Sequence, residues 1–293
     1  MRGWRDCARG LLAPAAFLLG ASAAHAAEPL VEPAWLAAHL NDPHVVVLDL
    51  RPVEAYRAGH IPGAVSAAFG TTAWAVSEPN GAARALPPVP RIAATVGALG
   101  VGDADNVVIV ADGLPGAARA YWTFKVLGHN AVSILDGGER AWHGAPDTRP
   151  AARPAAVFTP HYTPAVRADT AEVSRASRDG SAVLVDARPL SQWNGSVTPP
   201  TPFAHGEAGH IPGAVSVDQS QAVMPDGRLK PREALAQMFA PVGDKPAIAY
   251  CNAGILSAAD WFVMSEILHK PGTKLYDGSM SAWSADPSRP VVR

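Results

Sequence analysis

The eight residues GHIPGAVS occur twice in this chain, at positions 59–66 and again at positions 209–216. A run of eight identical residues does not recur by chance in a protein of 293 residues, so the chain contains an internal duplication. The residues before each run agree with this, because VVVLDLRP at 45–52 matches AVLVDARP at 182–189. The chain is therefore built from two copies of one unit.

A second matching element closes each copy: ILDGG at 134–138 with Trp142, and KLYDGS at 274–279 with Trp283. Each copy has the length of a whole domain, which indicates tandem domains rather than a solenoid of short repeats. We place the N-terminal domain at residues 29–150 and the C-terminal domain at residues 165–293. The segment between them, residues 151–164, contains several prolines and is predicted to be a partly extended linker.

Short apolar runs rich in β-branched residues alternate with helical stretches in both copies. The predicted strands are residues 45–48, 107–110 and 132–135 in the first copy, and residues 183–185, 247–250 and 274–276 in the second. Continuous apolar strands separated by helices are typical of a parallel sheet that is covered on both faces. The predicted fold class is α/β, with a central parallel sheet flanked by helices in each of the two domains.

The first 26 residues have the organisation of a secretory signal peptide. Three arginines precede an alanine-rich apolar stretch at residues 11–24, and Ala24-His25-Ala26 is a small-x-small cleavage motif. A transmembrane anchor is the alternative, but the apolar stretch is shorter than the roughly 20 residues of a spanning helix. We predict cleavage before Ala27, a periplasmic mature protein and no membrane attachment after cleavage.

The chain has two cysteines, and Cys7 falls within the predicted signal peptide. Cys251 would then be the single thiol of an exported protein, which indicates a reactive group or an intermolecular disulfide. A buried and inert cysteine is the ordinary alternative. Parallel α/β sheets bind ligands beyond the carboxyl ends of their strands. Residues 186–188, Cys251 and residues 277–278 all follow predicted strands, so we expect them to converge at one edge.

Cys251 directly follows a predicted strand and is followed by NAGILS at 252–257 and then by a helical pattern. Successive backbone N–H groups in such a loop can surround one anion, supported by the positive end of the helix dipole. A cysteine in this position is expected to form a thiolate readily. The same N–H groups would hold the terminal sulfur of a persulfide, and Gly254 permits the tight curl.

The first copy provides an internal comparison for this loop. An ungapped alignment of Trp122 onto Trp261 places Asp112 at the position of Cys251. Asp cannot carry sulfur, so this alignment predicts that one copy performs the chemistry and the other serves as a scaffold or as a wall of the site. The difference favours a reactive Cys251 over an inert one.

The chain resembles the tandem-domain rhodaneses, the family of thiosulfate and 3-mercaptopyruvate sulfurtransferases. The Asp-x-Arg strand end, the Gly-His-Ile-Pro-Gly-Ala signature and the Asp-Gly-x-x-x-x-Trp element carry this resemblance in both copies. It implies two rhodanese-like domains, an inactive N-terminal one and an active C-terminal one. It also implies a ping-pong cycle in which Cys251 accepts sulfur from a donor and passes it to cyanide or a thiol. The substrate-binding residues implied are Arg188, Asn252, Ala253, Gly254, Ile255, Leu256 and Ser257.

The loop departs from both subgroups of the family. Thiosulfate enzymes usually carry basic residues where this chain has Asn252 and Ala253, and a further substrate-binding arginine corresponds to Gln192. Mercaptopyruvate enzymes usually have a small or hydroxyl residue where Leu256 stands. Arg188 is the candidate cation for an anionic donor, although it could equally pair with the strand-end aspartate. Thiosulfate is the first expected donor and 3-mercaptopyruvate the second.

Histidines and aspartates that occur at matching positions of both copies are expected to have structural roles. His60 and His210 are kept in both copies, including the one without a thiol, so we predict a role in the turn rather than in catalysis. Asp136 and Asp277 each precede a glycine, and the chemistry of a turn accounts for them. An insertion around residues 194–206 of the second copy is predicted to be a surface loop at the edge of the site.

A phosphatase and a non-catalytic persulfide carrier are the alternative functions. A Cys-x5-Arg phosphatase would need an arginine where this chain has Ser257, so its main phosphate clamp is missing. A non-catalytic persulfide carrier that delivers sulfur to a protein partner would need the same cysteine. The net charge of −2 gives no reason to expect nucleic acid, and no metal-ligand spacing or cofactor motif is found. The expected partners are a small anionic sulfur donor and a thiol or cyanide acceptor, with a protein acceptor as a further possibility.

Overall fold

The computed structural model describes residues 27–70, 74–200, 203 and 208–293. The predicted signal peptide, residues 1–26, lies outside these residues. Among the helices that are described, none is both long enough and apolar enough to cross a membrane. Each copy of the repeat forms its own parallel sheet.

The N-terminal domain contains a five-stranded sheet in the order β1-β5-β4-β2-β3. The strands are β1 (Leu30–Val31), β2 (Val45–Asp49), β3 (Val65–Ser66), β4 (Asn106–Val110) and β5 (Val132–Leu135). All pairs are parallel. Burial of β2 and β4 on both faces explains their continuous apolar sequences. The sheet confirms the predicted fold class, while β1 and β3 were not predicted because two residues are too few to show a period.

The C-terminal domain contains a four-stranded parallel sheet in the order β7-β6-β8-β9. The strands are β6 (Val183–Asp186), β7 (Val215–Ser216), β8 (Ala247–Tyr250) and β9 (Lys274–Leu275). The place of β1 is taken here by one parallel bridge between Arg167 and Leu275. The two sheets therefore share one design, as the duplicated sequence predicts.

Helices cover both faces of each sheet. In the N-terminal domain they are α1 (Pro33–His39), α2 (Val53–Ala58), α3 (Val89–Ala98) and α4 (Leu114–Val126). In the C-terminal domain they are α5 (Thr170–Asp179), α6 (Leu190–Trp193), α7 (Arg232–Met238), α8 (Leu256–Phe262) and α9 (Ser279–Trp283). Alternate residues of β2 belong to two different apolar clusters, one against α1 and one against α3 and α4.

The two domains are joined by an apolar core that includes α4 of one and α8 of the other. Trp122 and Trp261 are buried in the same cluster, and the ring of Tyr121 meets that of Phe262 edge-on at 5.0 Å. The Tyr121 hydroxyl donates to Glu266 at 2.7 Å from across the interface. Glu266 lies in the π-helical turn Val263–Ile267 that continues α8. This shared core fixes the N-terminal domain against the face of the C-terminal domain that carries Cys251.

The aspartate of each Asp-Gly turn accepts a hydrogen bond from a backbone N–H of the other domain. Asp277 accepts the N–H of Leu86 from the N-terminal domain at 2.8 Å. Asp136 accepts the N–H of Leu229 from the C-terminal domain at 2.9 Å. Burial raises the pKa of Asp136, against the opposing effect of the Leu229 N–H. Turn chemistry alone was therefore an incomplete interpretation of these aspartates, because each also anchors a loop of the other domain.

The Asp-x-Arg motif joins a strand end to the GHIPGAVS segment in both domains. Arg188 donates to Asp186 at 2.6 Å and to the carbonyl of Gly209 at 2.7 Å. Arg51 makes the corresponding bonds to Asp49 at 2.6 Å and to Gly59 at 2.8 Å. The following histidines stack on aromatic rings, His60 on Tyr56 and His210 on Trp193. The repeated motifs therefore have a structural role in this fold, in the copy that contains Cys251 as in the other.

Candidate active site

Cys251 lies at the carboxyl end of β8, immediately before the loop that leads into α8, and is 1% exposed. Its N–H donates to the hydroxyl of Ser279 at 3.1 Å, and its carbonyl accepts from Met280 at 3.0 Å. The carbonyl of Asn252 accepts from Ser281 at 3.0 Å. The start of the loop is therefore tied to α9, which follows the Asp277-Gly278 turn.

The three strand ends named from the sequence meet at this edge. Asp186 pairs with Tyr250, the residue before Cys251. The N–H of Tyr276 donates to the carbonyl of Ala249 at 2.9 Å, which brings the end of β9 beside β8. The parallel register thus places residues 186–188, Cys251 and residues 277–278 together, as expected for the carboxyl edge of an α/β sheet.

Gly254 has the backbone conformation that the curled loop requires. Its φ is +74°, which side-chain-bearing residues rarely adopt. A Cβ atom at this position would lie 2.5 Å from Nη1 of Arg119 and 2.7 Å from the carbonyl oxygen of Asp277. Glycine is therefore required here both by the turn and by the close approach of two other segments.

Ser279 is a part of the site that the sequence analysis missed. Its hydroxyl lies 4.0 Å from the Cys251 sulfur and donates to the carbonyl of Tyr276 at 2.8 Å. Its φ is +51°, a left-handed conformation that costs a non-glycine residue about 1 kcal/mol. The available signal was the change from Asp-Gly-Gly at residue 138 to Asp-Gly-Ser at residue 279 between the copies. A strained serine beside the thiol indicates a functional hydroxyl.

Arg188 is largely committed to its own domain. Its Nε and Nη2 bind both carboxylate oxygens of Asp186, and Nη1 points toward the side-chain oxygen of Asn252 at 3.5 Å. Burial acts to lower the pKa of Arg188, but the hydrogen bonds and charge of Asp186 raise it overall. The sequence left open whether Arg188 binds the donor or pairs with Asp186. The geometry favours the pair with Asp186, and only the Nη1 edge of Arg188 is directed at the loop.

The side chain of Asn252, the residue after Cys251, forms a pair of neutral amides with Gln192 of α6. Asn252 donates to the side-chain oxygen of Gln192 at 2.9 Å. By the resemblance described above, these two residues stand where thiosulfate enzymes usually have basic side chains. The positive charge that would contact an anion directly is therefore replaced by polar groups without charge.

The other loop residues differ in accessibility. Ile255 and Leu256 are partly exposed, whereas Ala253 and Ser257 are buried. The Ser257 hydroxyl and both carboxylate oxygens of Asp260 have no hydrogen-bond partner among the described residues. Burial, together with the negative charge of Cys251 and Asp186, raises the pKa of Asp260 well above its ordinary value. A substrate would therefore meet the backbone of the loop and the side chains of Asn252, Ile255 and Leu256, with Ser257 turned into the protein.

The N-terminal domain forms a wall of the site. Ala83 donates its N–H to the Ser281 hydroxyl at 3.1 Å, and Arg119 of α4 donates to the carbonyl of Gly254 at 2.9 Å. Arg84 is exposed, with its guanidinium 5.6 Å from the ring centre of Phe203 in the insertion of the C-terminal domain. The sequence left open whether the first copy acts as scaffold or wall, and these contacts give it both roles.

The internal comparison with the first copy requires a correction of one residue. Asp49 pairs with Val110 just as Asp186 pairs with Tyr250, so the register puts Ala111, not Asp112, at the position of Cys251. The ungapped alignment assumed equal spacing from the strand end to the tryptophan, but Trp122 follows Ala111 by eleven positions and Trp261 follows Cys251 by ten. The conclusion that the first copy lacks the thiol is unchanged.

Comparison with known proteins agrees with this geometry. The rhodanese-like domain family matches residues 32–145 and again residues 169–286. The sulfur carrier protein TtuD of Thermus thermophilus is 32% identical over 281 residues, 91% of this chain and 97% of that protein. A protein of Mycolicibacterium smegmatis, provisionally named a thiosulfate sulfurtransferase, is 32% identical over 276 residues, 89% of this chain and 96% of the relative.

Among solved structures, SseA from Escherichia coli, described as a 3-mercaptopyruvate sulfotransferase with the rhodanese fold, superposes with a TM-score of 0.76. It is 30% identical, and the match covers 86% of this chain and 99% of that one. The chain belongs to the rhodanese family, with two rhodanese-like domains in tandem, which confirms the resemblance carried by its repeated motifs.

Replacement of Ser279 should separate its hydrogen bonds from its backbone strain. Ser279→Ala removes the acceptor of the Cys251 N–H and keeps the left-handed φ, so we expect the free energy of unfolding to fall by about 1–3 kcal/mol. Ser279→Gly loses the same bonds but tolerates the conformation, and should be more stable than Ser279→Ala by about 1 kcal/mol. Urea denaturation of both variants measures this difference. Equal stability of the two variants would contradict a strained Ser279.

Proposed function

We propose that this protein is a sulfurtransferase that carries sulfane sulfur as a persulfide on Cys251. The observation that supports this most directly is the position of the thiol, at the end of β8 in a curled loop before α8, beside the hydroxyl of Ser279. The loop geometry suits a sulfur anion, because backbone N–H groups near a helix N-terminus favour negative charge. The sulfur-transfer names of the relatives agree with the proposal.

In the proposed cycle the Cys251 thiolate attacks the outer sulfur of the donor. With thiosulfate, the S–S bond of the donor breaks, sulfite leaves with its electron pair, and a new S–S bond forms on Cys251. Cyanide or a thiolate then attacks the terminal sulfur of the persulfide and releases the Cys251 thiolate. Neither step requires a metal or an external redox partner, since the electrons and the charge balance within the two exchanges.

The donor is proposed to be thiosulfate first and 3-mercaptopyruvate second. Both are small anions, and the neutral pair Asn252 and Gln192 offers polar contacts rather than charge to either. The Nη1 edge of Arg188 lies 3.5 Å from the side-chain oxygen of Asn252 and is a cationic group beside this pair. We therefore expect a high KM for thiosulfate in comparison with an enzyme that has basic residues in the loop.

A first experiment tests the persulfide itself. Incubation of the folded protein with thiosulfate, and separately with 3-mercaptopyruvate, should increase its mass by one sulfur atom, located on Cys251 by peptide mapping. Cys251→Ser should abolish both the mass increase and the steady-state formation of thiocyanate from cyanide. Absence of the adduct with both donors would refute the proposal. Loading without turnover would instead indicate the alternative function, a persulfide carrier for a protein partner.

A second experiment tests the missing charge of the loop. Asn252→Arg should lower the KM for thiosulfate roughly tenfold, because a charge-assisted hydrogen bond contributes about 1.5 kcal/mol. Asn41→Arg, on an exposed position of the N-terminal domain, adds the same charge remote from the loop and serves as the matched control. Steady-state kinetics with cyanide as acceptor measures both. An unchanged KM in Asn252→Arg would mean that charge at this position does not govern donor binding.

The location of the protein is part of the proposal. Residues 1–26 have the basic, apolar and small-residue segments of a signal peptide, which supports export to the periplasm. Expression of the full chain in a Gram-negative host should give a periplasmic protein whose intact mass is that of residues 27–293. A full-length mass in the cytoplasmic or the membrane fraction would contradict export with cleavage.

A further inference from the structure

We propose that Arg119, in the domain that lacks the thiol, is a positioning residue for the Cys251 loop and holds a buried positive charge against the backbone of that loop. The inference rests on the proposed function for its purpose, but its geometry is independent of any donor. The N-terminal domain would then act on the chemistry through the charge of Arg119, in addition to supporting the loop through packing contacts.

The contacts of Arg119 lead directly to the loop. Arg119 lies in α4 and is completely buried. Its Nη1 donates to the carbonyl of Gly254 at 2.9 Å, and its Nη2 donates to the carbonyl of Arg84 at 2.9 Å. The glycine at residue 254 permits this approach, because a Cβ there would come within 2.5 Å of Nη1. One guanidinium thereby fixes the loop and the wall of the site relative to each other.

The charge of Arg119 is not neutralised by an ion pair with any carboxylate in the described part of the chain. Both terminal nitrogens bind carbonyls, and Nε has no hydrogen-bond partner there. The guanidinium stacks near the ring of Trp122, at 4.9 Å from its centre. Asp277, a nearby carboxylate, is already paired with Arg167 at 2.9 Å. A buried, unpaired cation acts strongly on its surroundings, because water and salt screen it little.

The electrostatic neighbours of Arg119 include the thiol. Burial lowers the pKa of Arg119, the negative charges of Asp277 and Cys251 act to raise it, and the positive charges of Arg167 and Arg84 act to lower it. An arginine side chain keeps its proton in proteins even when it is buried. The reciprocal effect of such a charge is to favour negative charge on the sulfur of Cys251 or of its persulfide.

Among the described residues, other cations near the loop are paired or exposed: Arg167 pairs with Asp277, and Arg84 is exposed. Asn252 and Ala253 occupy the positions that carry basic residues in thiosulfate enzymes, and the charge of Arg188 is neutralised by Asp186. Arg119 therefore supplies, from the other domain, a positive charge that the loop itself lacks. A charge bound to the loop backbone favours sulfur anions without contacting the donor.

The test measures the pH dependence of Cys251 alkylation by iodoacetamide in the full-length folded protein. Arg119→Gln keeps a hydrogen-bond donor but removes the charge, so the midpoint pH of alkylation should rise by about one unit. Arg119→Lys keeps the charge but cannot bind the carbonyls of Gly254 and Arg84 at the same time. Its alkylation midpoint should therefore stay near that of the wild type, while kcat for sulfur transfer falls because the loop is held less firmly. A midpoint in Arg119→Gln equal to that of the wild type would overturn the inference.

Lys125→Gln is the matched control. Lys125 lies on the same helix and pairs across the same interface with Glu266 at 3.6 Å, but it does not contact the loop. This variant should leave the alkylation midpoint unchanged. A shift as large as that of Arg119→Gln would assign the effect to the domain interface in general and would overturn the role of Arg119.

The wild-type protein provides a second measurement if Arg119→Gln does not fold. Because Arg119 is buried, the alkylation midpoint should change little when salt is raised from low to high concentration. A midpoint that rises markedly with salt would assign the effect to an exposed cation such as Arg84 and would overturn the inference. Alkylation needs no sulfur donor, so these outcomes are independent of whether the persulfide experiment succeeds.

Discussion

The buried ion pair between Asp186 and Arg188 determines where the active edge of the C-terminal sheet lies. It closes the end of β6, binds the carbonyl of Gly209 and stands next to Tyr250, one residue before the thiol. A buried ion pair is not in itself strongly stabilising, but the loss of one partner leaves an uncompensated charge, so its geometry is held firmly. The same pair, Asp49 with Arg51, recurs in the copy without a thiol. Its constant role is therefore structural, and the chemistry is built beside it.

The two copies differ in chemistry but depend on each other for packing. Their cores merge between α4 and α8, and each Asp-Gly turn receives a loop from the other domain. The active loop is consequently not a feature of one domain alone, since Gly254 is held by Arg119 and the Ser281 side chain binds Ala83. The first copy has no thiol at this position, and its contacts with the loop give that domain a supporting function.

Much of this could be predicted from the sequence. The duplicated octapeptide predicted two domains, the apolar runs predicted parallel sheets, and the sequence around Cys251 predicted a curled loop between a strand and a helix. These features are encoded locally, because a strand, a turn and a helix each need only neighbouring residues. Asp260 was missed, since nothing in its neighbours indicates that it lies close to the thiol. Ser279 was missed although the change from Gly138 to a serine between the copies was an available signal. The loop alignment was wrong by one residue because only strand pairing reveals the change in loop length.

The sequence by itself determined that Cys251 is the one cysteine outside the predicted signal peptide and that its loop lacks basic residues. The tertiary structure alone decided which groups surround that thiol. Arg119 and Gly254 are 135 residues apart, and Leu86 and Asp277 are 191 residues apart. Contacts across such separations arise when two complete domains pack through a shared core, and no local pattern of residues records which side chains will then meet.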